Sequence, residues 1–223
     1  MVLSMQSKNS SLVHLVRQTA RPRERPPLLV LLHGYGSNEQ DLFGLAPYID
    51  NRFLVVSARA PVAMMQDMFA WFPLDWTQSG IAFDGEQVVQ ARDTIIGFVE
   101  EIAATFAVDR AQIYLGGFSQ GAIMGAAVAF RRPDLIAGAV LMSGSASPEL
   151  LPGDVDAVAL RQKPFFVTHG TSDTVLPISN GRVSRDLLAK LGVDLTYREY
   201  PMGHEVSQQS LADVTAWLAA RLD

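Results

Sequence analysis

Short apolar runs alternate along this chain with longer stretches in which apolar residues recur at helical spacing. The short runs contain apolar or β-branched residues and are bounded by Gly, Pro, Asn, Asp or Ser, which is the usual pattern of β-strands. They lie at residues 12–18, 28–33, 53–57, 112–116, 137–142, 164–169 and 194–199. The runs at 28–32 and 164–168 are apolar on successive residues, which predicts parallel strands buried on both faces. The first run alternates more, which indicates an edge strand.

The longer stretches predict four amphipathic helices, at residues 86–106, 119–131, 179–191 and 205–221. In the first of them, Val88, Ile95, Val99 and Ile102 lie on one stripe and the charged residues lie elsewhere. Alternation of strands and helices is typical of an open, mostly parallel α/β sheet with helices on both faces. The chain has 223 residues, an ordinary length for one such unit, and we expect a single domain that spans residues 1–223.

One connection breaks this alternation, because residues 58–85 are too many for a tight turn. Long loops are usually functional when they are ordered. Methionine and aromatic side chains adapt to varied acyl or alkyl chains, and this loop predicts the wall of an apolar pocket formed by Met64, Met65, Met68, Phe69, Trp71, Phe72 and Trp76. The alternative is an ordinary packed loop that covers the core, since no periodicity places these side chains.

Composition and charge exclude several classes of function. The formal net charge is −5 and no run of lysine and arginine is long, so nucleic acid is not an expected partner. The chain contains no cysteine, which excludes disulfides, cysteine-ligated metals and a thiol nucleophile. The sequence shows neither the pattern of a signal peptide nor an apolar segment of about 18 residues. It therefore predicts a cytoplasmic protein without a membrane span.

The segment Gly117-Phe-Ser-Gln-Gly121 stands where a predicted strand gives way to a predicted helix. Open α/β sheets bind ligands at the carboxyl ends of their strands, and a Gly-x-Ser-x-Gly segment there can form a sharp turn that lifts the serine oxygen above the sheet. The glycines are needed because a Cβ would strike the neighbouring strand and helix. The alternative is that the glycines only let the helix pack closely, but this leaves Ser119 unexplained.

A serine hydroxyl becomes a good nucleophile only when a base takes its proton, and the chain offers four histidines. His14 lies within the first predicted strand and is expected to be half-exposed. His33 and His169 end strands and are expected to fix loop geometry through ring hydrogen bonds. His204 lies after the last predicted strand and just ahead of the last helix, which makes it the candidate base.

The acid that orients this base is expected between Ser119 and His204, because hydrolases with the nucleophile on such a turn have the chain order serine, acid, histidine. In that interval Asp173 alone follows directly on a fully apolar strand, so it also projects from the carboxyl edge of the sheet. Asp186 lies on a predicted helix, where we expect it to face solvent. The alternative role for Asp173 is to cap the turn before Pro177.

The tetrahedral intermediate of acyl transfer needs two N–H donors directed at its oxygen. Gln120 supplies one backbone amide as the residue after the nucleophile. The loop that begins His33-Gly34-Tyr35 follows an earlier strand and is expected to supply the other. We assign this second donor to the amide of Tyr35.

These residues resemble the phospholipase/carboxylesterase family of α/β-hydrolases, which includes the acyl-protein thioesterases and many bacterial esterases. The similar segments are LLHGYGSNEQD at 31–41, ARAPV at 58–62, AWF at 70–72, GGFSQGA at 116–122, HGTSDTVLP at 169–177 and GHE at 203–205. The resemblance implies an α/β-hydrolase fold with few lid elements and no large lid domain. It also implies a triad of Ser119, Asp173 and His204, with the amides of Gln120 and Tyr35 as oxyanion donors.

The sequence therefore predicts a serine hydrolase that cleaves carboxylic esters with small or medium acyl chains through an acyl-enzyme intermediate. Such an enzyme acts on a small-molecule ester and needs no metal and no organic cofactor. An acyl-thioesterase or a lysophospholipase with the same triad is one alternative. A homologue that only binds a small molecule, or a partner through the methionine-rich loop, is the other. The oligomeric state stays open, with a homodimer as one option.

Overall fold

The computed structural model describes residues 10–20, 24–77, 80–148 and 155–222. Numbered in chain order, the strands in these ranges are β1 (His14–Arg17), β2 (Leu28–Leu32), β3 (Leu54–Ala58), β4 (Val62–Met65), β5 (Met68–Ala70), β6 (Asp75–Thr77), β7 (Gly80–Ala82), β8 (Ile113–Phe118), β9 (Gly138–Met142), β10 (Pro164–Gly170) and β11 (Asp194–Tyr200). Seven of the described strands form a central sheet in the order β1-β3-β2-β8-β9-β10-β11. All neighbours in it are parallel except β1, which runs antiparallel to β3.

Different helices cover the two faces of this sheet. The described helices are α1 (Glu39–Phe43), α2 (Gly85–Thr105), α3 (Gln120–Arg131), α4 (Ala157–Leu160), α5 (Ile178–Leu191) and α6 (Gln208–Ala219). Successive residues of a strand point to opposite faces: Leu28, Val30 and Leu32 pack with residues of α2, α3 and α5, whereas Leu29 and Leu31 pack with residues of α1 and α6. The predicted mostly parallel sheet with helices on both faces is therefore confirmed.

The helices observed agree with the sequence pattern. The four predicted helices correspond to α2, α3, α5 and α6, and the largest difference at an end is three residues, at the start of α6. The pattern missed the short helices α1 and α4, because one turn of helix carries too little periodicity to detect. Within the described ranges, no helix is both long enough and apolar enough to cross a membrane.

The first strand lies at the edge of the sheet, as its alternating pattern predicted. The expectation that His14 is half-exposed is wrong, because only 1% of its surface is accessible. Helix α2 covers this strand, and the His14 ring meets the ring of Phe98 edge-on at 5.3 Å between centroids. Nδ1 of His14 donates a hydrogen bond to the carbonyl oxygen of Leu12 at 3.0 Å. A polar side chain at an edge strand is thus buried by a helix far away in sequence.

The long connection after β3 is an ordered structure rather than a plain loop. It contains two antiparallel hairpins, β4 with β5 and β6 with β7. Each strand has only three or four residues, which is too short for a two-residue alternation to be recognised in sequence. The first hairpin also pairs with the loop after β2, through a bridge between Ser37 and Phe69.

Candidate active site

Ser119 occupies a strained turn between β8 and α3. Its backbone φ is 53° and its ψ is −118°, and residues other than glycine rarely adopt a positive φ. Holding a residue in such a region costs about 1–3 kcal/mol. A Cβ at Gly117 would overlap the carbonyl oxygen of Gly121, and a Cβ at Gly121 would overlap that of Leu32. We expected glycine at both positions because a Cβ would strike the neighbouring helix or strand. These overlaps confirm that expectation.

Three side chains from separate segments meet above this turn. Nε2 of His204 lies 2.9 Å from Oγ of Ser119, and Nδ1 of His204 lies 2.7 Å from Oδ2 of Asp173. A carboxylate only accepts hydrogen bonds, so Nδ1 of His204 carries the hydrogen and Nε2 is left to accept the hydroxyl hydrogen of Ser119. This arrangement can pass a proton from Ser119 to the imidazole while the carboxylate stabilises the charge that forms.

The carboxylate of Asp173 is held by the turn that follows it. Its side chain is fully buried, and its Oδ1 accepts the N–H groups of Val175 at 2.9 Å and Leu176 at 2.8 Å. The capping role considered for Asp173 is therefore present in the structure. It uses only Oδ1 and leaves Oδ2 for His204, so one carboxylate fixes its own turn and orients the imidazole.

The loops that carry Asp173 and His204 touch backbone to backbone. They follow the parallel neighbours β10 and β11, and the N–H of Ser172 donates to the carbonyl oxygen of Met202 at 3.1 Å. A Cβ at Gly170 would overlap that same oxygen. This backbone contact at the end of two paired strands therefore fixes the distance between the Asp173 carboxylate and the His204 imidazole.

Two further histidines fix loops around the site, as the sequence predicted. Nδ1 of His33 donates to the carbonyl oxygen of Gly34 at 2.7 Å, and its Nε2 accepts the N–H of Ala60 at 3.0 Å. Burial lowers the pKa of His33. This agrees with a neutral ring whose Nε2 stays unprotonated to accept the N–H of Ala60. Nε2 of His169 donates to the carbonyl oxygen of Leu176 at 2.8 Å and so supports the turn that holds the carboxylate.

The backbone amides of Tyr35 and Gln120, the two predicted oxyanion donors, have no acceptor within the part of the chain that the structure describes. The two residues that follow Tyr35 anchor its loop to the first hairpin. The N–H of Gly36 donates to the carbonyl oxygen of Phe69 at 2.9 Å, and the N–H of Phe69 donates to that of Ser37 at 2.8 Å. The β4–β5 hairpin therefore serves as a support for the loop that carries one candidate oxyanion donor.

The side chain of Gln120 has a role that the sequence analysis missed. Its Oε1 accepts the N–H of Trp71 at 2.9 Å, and its Nε2 donates to the carbonyl oxygen of Phe72 at 2.7 Å. The indole N–H of Trp71 donates in turn to the carbonyl oxygen of His33 at 2.9 Å. The sequence contained an indication of these hydrogen bonds. Gln120 is a long polar residue at the start of a helix of small apolar residues, and a buried side-chain amide needs hydrogen-bond partners.

A cleft of about 390 Å³ opens beside Ser119 and His204. Its wall is mostly apolar, with a few polar side chains, which is typical of sites for small molecules. Apart from Ser119 and His204, the residues that line it are Tyr35, Phe72, Leu74, Phe83, Gln120, Ile123, Ser145, Val175, Leu176 and Asn180. Within the described ranges, no three His, Asp or Glu side chains are grouped so that they could hold a metal ion.

The cleft corrects the predicted pocket wall. Of the seven methionine and aromatic residues proposed for it, Phe72 lines the cleft and Trp71 is buried behind that wall. The four residues of the first hairpin lie elsewhere, supporting the loop that carries Tyr35 or facing solvent: Met64, Met65, Met68 and Phe69. Met65 is 67% exposed. The side chain of Trp76 lies outside the described part of the structure.

For some of the cleft-lining residues that the sequence did not predict, the local sequence still indicated a position near the catalytic residues. Ile123 lies one helical turn after Ser119, and residues four apart on a helix share a face. Val175 and Leu176 lie two and three residues after Asp173, so they had to lie near the site once the carboxylate did. Leu74 and Phe83 flank the second hairpin, and nothing in the local pattern indicated that this hairpin approaches the serine.

The sheet order and the strained serine turn define the protein as an α/β-hydrolase. Residues 16–222 match the family model described as Phospholipase/Carboxylesterase. The chain belongs to this family, and it is an ester-hydrolysing enzyme.

Relatives of similar length support this assignment. Acyl-protein thioesterase 1 of Kluyveromyces lactis is 26% identical over 94% of this chain and 98% of its own length. Lysophospholipase-like protein 1 of Mus musculus is 24% identical over 95% of this chain and 94% of its own length. The crystal structure of the Bacillus cereus carboxylesterase has the same fold, with a TM-score of 0.82, 24% identity and coverage of 95% of both chains.

Proposed function

We propose that the protein is a serine hydrolase that cleaves carboxylic esters with small or medium acyl chains through an acyl-enzyme intermediate. The observation that carries this proposal is the position of the His204 imidazole, which bridges Ser119 at 2.9 Å and Asp173 at 2.7 Å. Ser119 is the nucleophile, His204 is the base and Asp173 holds the imidazole in the correct tautomer.

The reaction then proceeds in two halves. Oγ of Ser119 attacks the ester carbonyl carbon while Nε2 of His204 takes the hydroxyl proton, and a tetrahedral intermediate forms. This intermediate expels the alcohol, which leaves with the proton from His204. Water then attacks the acyl-enzyme with the same proton transfers, and the carboxylic acid and free Ser119 are released. None of these steps calls for a metal or an organic cofactor.

The amides of Tyr35 and Gln120 are the oxyanion donors in this proposal. Both are without an acceptor among the described residues, and each belongs to a segment in contact with the Ser119 turn. Such a donor is typically worth about 3 kcal/mol of transition-state stabilisation. The donors are backbone groups, so the identity of the Tyr35 side chain affects only the shape of the cleft.

The apolar cleft supports the substrate class. Phe72, Leu74, Phe83 and Ile123 line it close to the nucleophile, and a volume of about 390 Å³ suits a small molecule with a short or medium chain. The second candidate is hydrolysis of acyl thioesters or lysophospholipids. It is favoured by the names of the Kluyveromyces lactis and mouse relatives and would use the same catalytic groups.

Labelling with a fluorophosphonate tests the nucleophile. Ser119 is expected to carry the phosphonyl group in a peptide map, and Ser119→Ala is expected to stay unlabelled and to lose about 10³-fold or more in kcat. A folded wild-type protein that is not labelled, or a label on another serine, would contradict the proposal. The alternative of a protein that only binds a small molecule predicts that outcome.

The substrate class needs a separate comparison. We expect kcat/KM for p-nitrophenyl esters of graded acyl length to peak at small or medium chains and to exceed the values for the matching acyl thioesters and for lysophosphatidylcholine. A strong preference for thioesters or lysophospholipids would replace the ester by that substrate. The cytoplasmic location, the single domain and the homodimer stay predictions, and light scattering on the purified protein checks the last of them.

A further inference from the structure

Arg59 connects two elements that flank the loop that carries Tyr35, one of the two proposed oxyanion donors. It follows β3 directly, and its guanidinium forms a two-pronged ion pair with Glu39, with Nε 2.5 Å from Oε2 and Nη2 2.6 Å from Oε1. The centre of the same guanidinium lies 4.5 Å from the centroid of the Phe69 ring. One side chain is therefore held by a carboxylate at its edge and by an aromatic ring at its face.

Both partners of Arg59 belong to the supports of the segment that carries Tyr35. Glu39 is the first residue of α1, which begins directly after that segment. Phe69 exchanges two backbone hydrogen bonds with the segment, at Gly36 and Ser37. The position of the Tyr35 amide thus depends on α1 on one side and on the β4–β5 hairpin on the other, and Arg59 joins the two.

The segment is tied to the hairpin at one more point. The side-chain amide of Asn38 donates to the carbonyl oxygen of Asp67 at 2.9 Å, while its Oδ1 accepts the N–H of Gln40 and caps α1. Asn38 therefore transmits any shift of α1 to the hairpin turn. Arg59 is the only charged group that bridges α1 and this hairpin among the contacts of the described residues.

The chemistry of this contact requires arginine. The side chain of Glu39 is 1% exposed, and a buried carboxylate is costly unless it is paired and hydrogen-bonded. Burial is the largest single influence and raises the pKa of Glu39, but the hydrogen bonds and charge of Arg59, together with a hydrogen bond from the backbone of Glu39 and smaller electrostatic contributions, hold the pKa below its ordinary value. A planar guanidinium can bind a carboxylate with two parallel bonds and stack on a ring at once, which an ammonium group cannot do.

We propose that Arg59 is a positioning residue of the oxyanion site: by binding Glu39 and Phe69 together, it holds the Tyr35 amide at the place where the oxyanion forms. This rests on the proposed serine-hydrolase function. The contact lies outside the cleft, so it acts on the transition state through the loop and leaves substrate binding nearly unchanged.

The test compares Arg59→Met, Arg59→Lys and Glu39→Gln with wild type. Methionine keeps an unbranched apolar side chain but removes the guanidinium, and with it both the ion pair to Glu39 and the stacking on Phe69. Lysine keeps the charge without the two-pronged bond. The control is Arg132→Met, which removes a similar two-pronged pair with Asp134 at the far end of α3 from Ser119. Urea unfolding of each variant establishes that it is folded under the assay conditions.

Two readouts separate positioning from general damage. We expect Arg59→Met to lower kcat by about tenfold or more with KM within about twofold of wild type, since a displaced oxyanion donor acts only in the transition state. A trifluoromethyl ketone inhibitor reports on the same group: Oγ of Ser119 bonds to its carbonyl carbon, the proton passes to His204, and the oxyanion occupies the hole. Its affinity is expected to fall by a similar factor.

The conservative variants complete the pattern. Arg59→Lys and Glu39→Gln are expected to lie between Arg59→Met and wild type, and Arg132→Met is expected to match wild type in kcat and inhibitor affinity. A folded Arg59→Met with wild-type values of both would overturn the inference, and so would an equal loss in Arg132→Met. If Arg59→Met does not fold, the same criteria apply to Arg59→Lys and Glu39→Gln. If the proposed serine-hydrolase function itself were wrong, a fluorophosphonate would not label the wild-type protein. That result is separate from any effect of the Arg59 variants.

Discussion

The aromatic ring of Phe118 lies against the imidazole of His204, with 4.9 Å between the ring centroids and 46° between the planes. Phe118 is the last residue of β8 and precedes the nucleophile, so the strand that presents Ser119 also supports the base. The same ring also approaches Gly34, where an added Cβ would lie 3.2 Å from Cδ1 of Phe118. The imidazole therefore rests on a ring that also lies close to the loop that carries Tyr35.

Replacing this ring should lower the rate of the chemical step. We expect Phe118→Leu to reduce kcat by about tenfold or more, because a small misplacement of a catalytic group is costly in rate. The control is Phe106→Leu, which trims a half-buried ring at the end of α2. Steady-state kinetics of both variants checks this, and an unchanged kcat in folded Phe118→Leu would show that His204 needs no support from the ring.

The helix after the nucleophile offers a matched pair of glycine substitutions. Gly121→Ala should abolish folding or nearly so, because its Cβ would overlap the carbonyl oxygen of Leu32 and the backbone has no room to move. Gly125→Ala should be tolerated, because its Cβ would lie 3.4 Å from a flexible methyl group of Leu141. Alanine also favours a helix over glycine by up to about 1 kcal/mol. Yield and urea midpoints of the two variants measure this, and equal tolerance of both would be the contrary result.

The strain at Ser119 should be visible in stability. Glycine adopts a positive φ without a steric cost, whereas the strained conformation costs other residues about 1–3 kcal/mol. We therefore expect Ser119→Gly to be more stable than Ser119→Ala by about 1 kcal/mol, after the entropy lost by glycine on folding is subtracted. Both variants lack the hydroxyl, so urea unfolding isolates the backbone. A less stable glycine variant would contradict the expectation.

The buried ring of His33 should make folding stability depend on pH. Burial lowers the pKa of His33 and outweighs the raising effects of the hydrogen bond to Gly34 and of nearby acidic groups, including Glu39. In the unfolded chain this ring gains a proton below about pH 6.5, but in the folded chain it stays neutral. Stability is then lost as the pH falls from about 6.5 toward the lowered value, by up to about 1.4 kcal/mol per pH unit.

Urea unfolding at several pH values checks this sign with a variant. His33→Asn keeps a donor near the carbonyl oxygen of Gly34 but has no titrating ring. It should be less stable at neutral pH, because the N–H of Ala60 loses its acceptor, yet its stability should decline less between about pH 7 and pH 5. Parallel declines in the two proteins would exclude His33 as the source.

The sequence alone determined the strands of the central sheet, the main helices and the edge at which the chemistry lies. Apolar runs bounded by Gly, Pro or Asp report on burial locally, and parallel connections bring the ends of the strands to a common edge. This is why the sequence predicts Ser119, Asp173 and His204 together at one edge, and why it predicts His33 and His169 as supports of loops.

Tertiary structure decided the rest, because it depends on which segments far apart in sequence touch one another. The burial of His14 comes from a helix, the contacts of Gln120 come from a hairpin, and the ion pair of Arg59 joins α1 to the end of β3. The cleft draws its wall from segments that lie far apart in the sequence, and the methionines of β4 and β5 lie outside it, in a hairpin that pairs with the loop after β2 through Phe69 and Ser37. Local patterns indicate which runs form strands and helices, whereas the partners of a side chain, and at the edge strand even its burial, depend on segments that are distant in sequence and meet only in the folded chain.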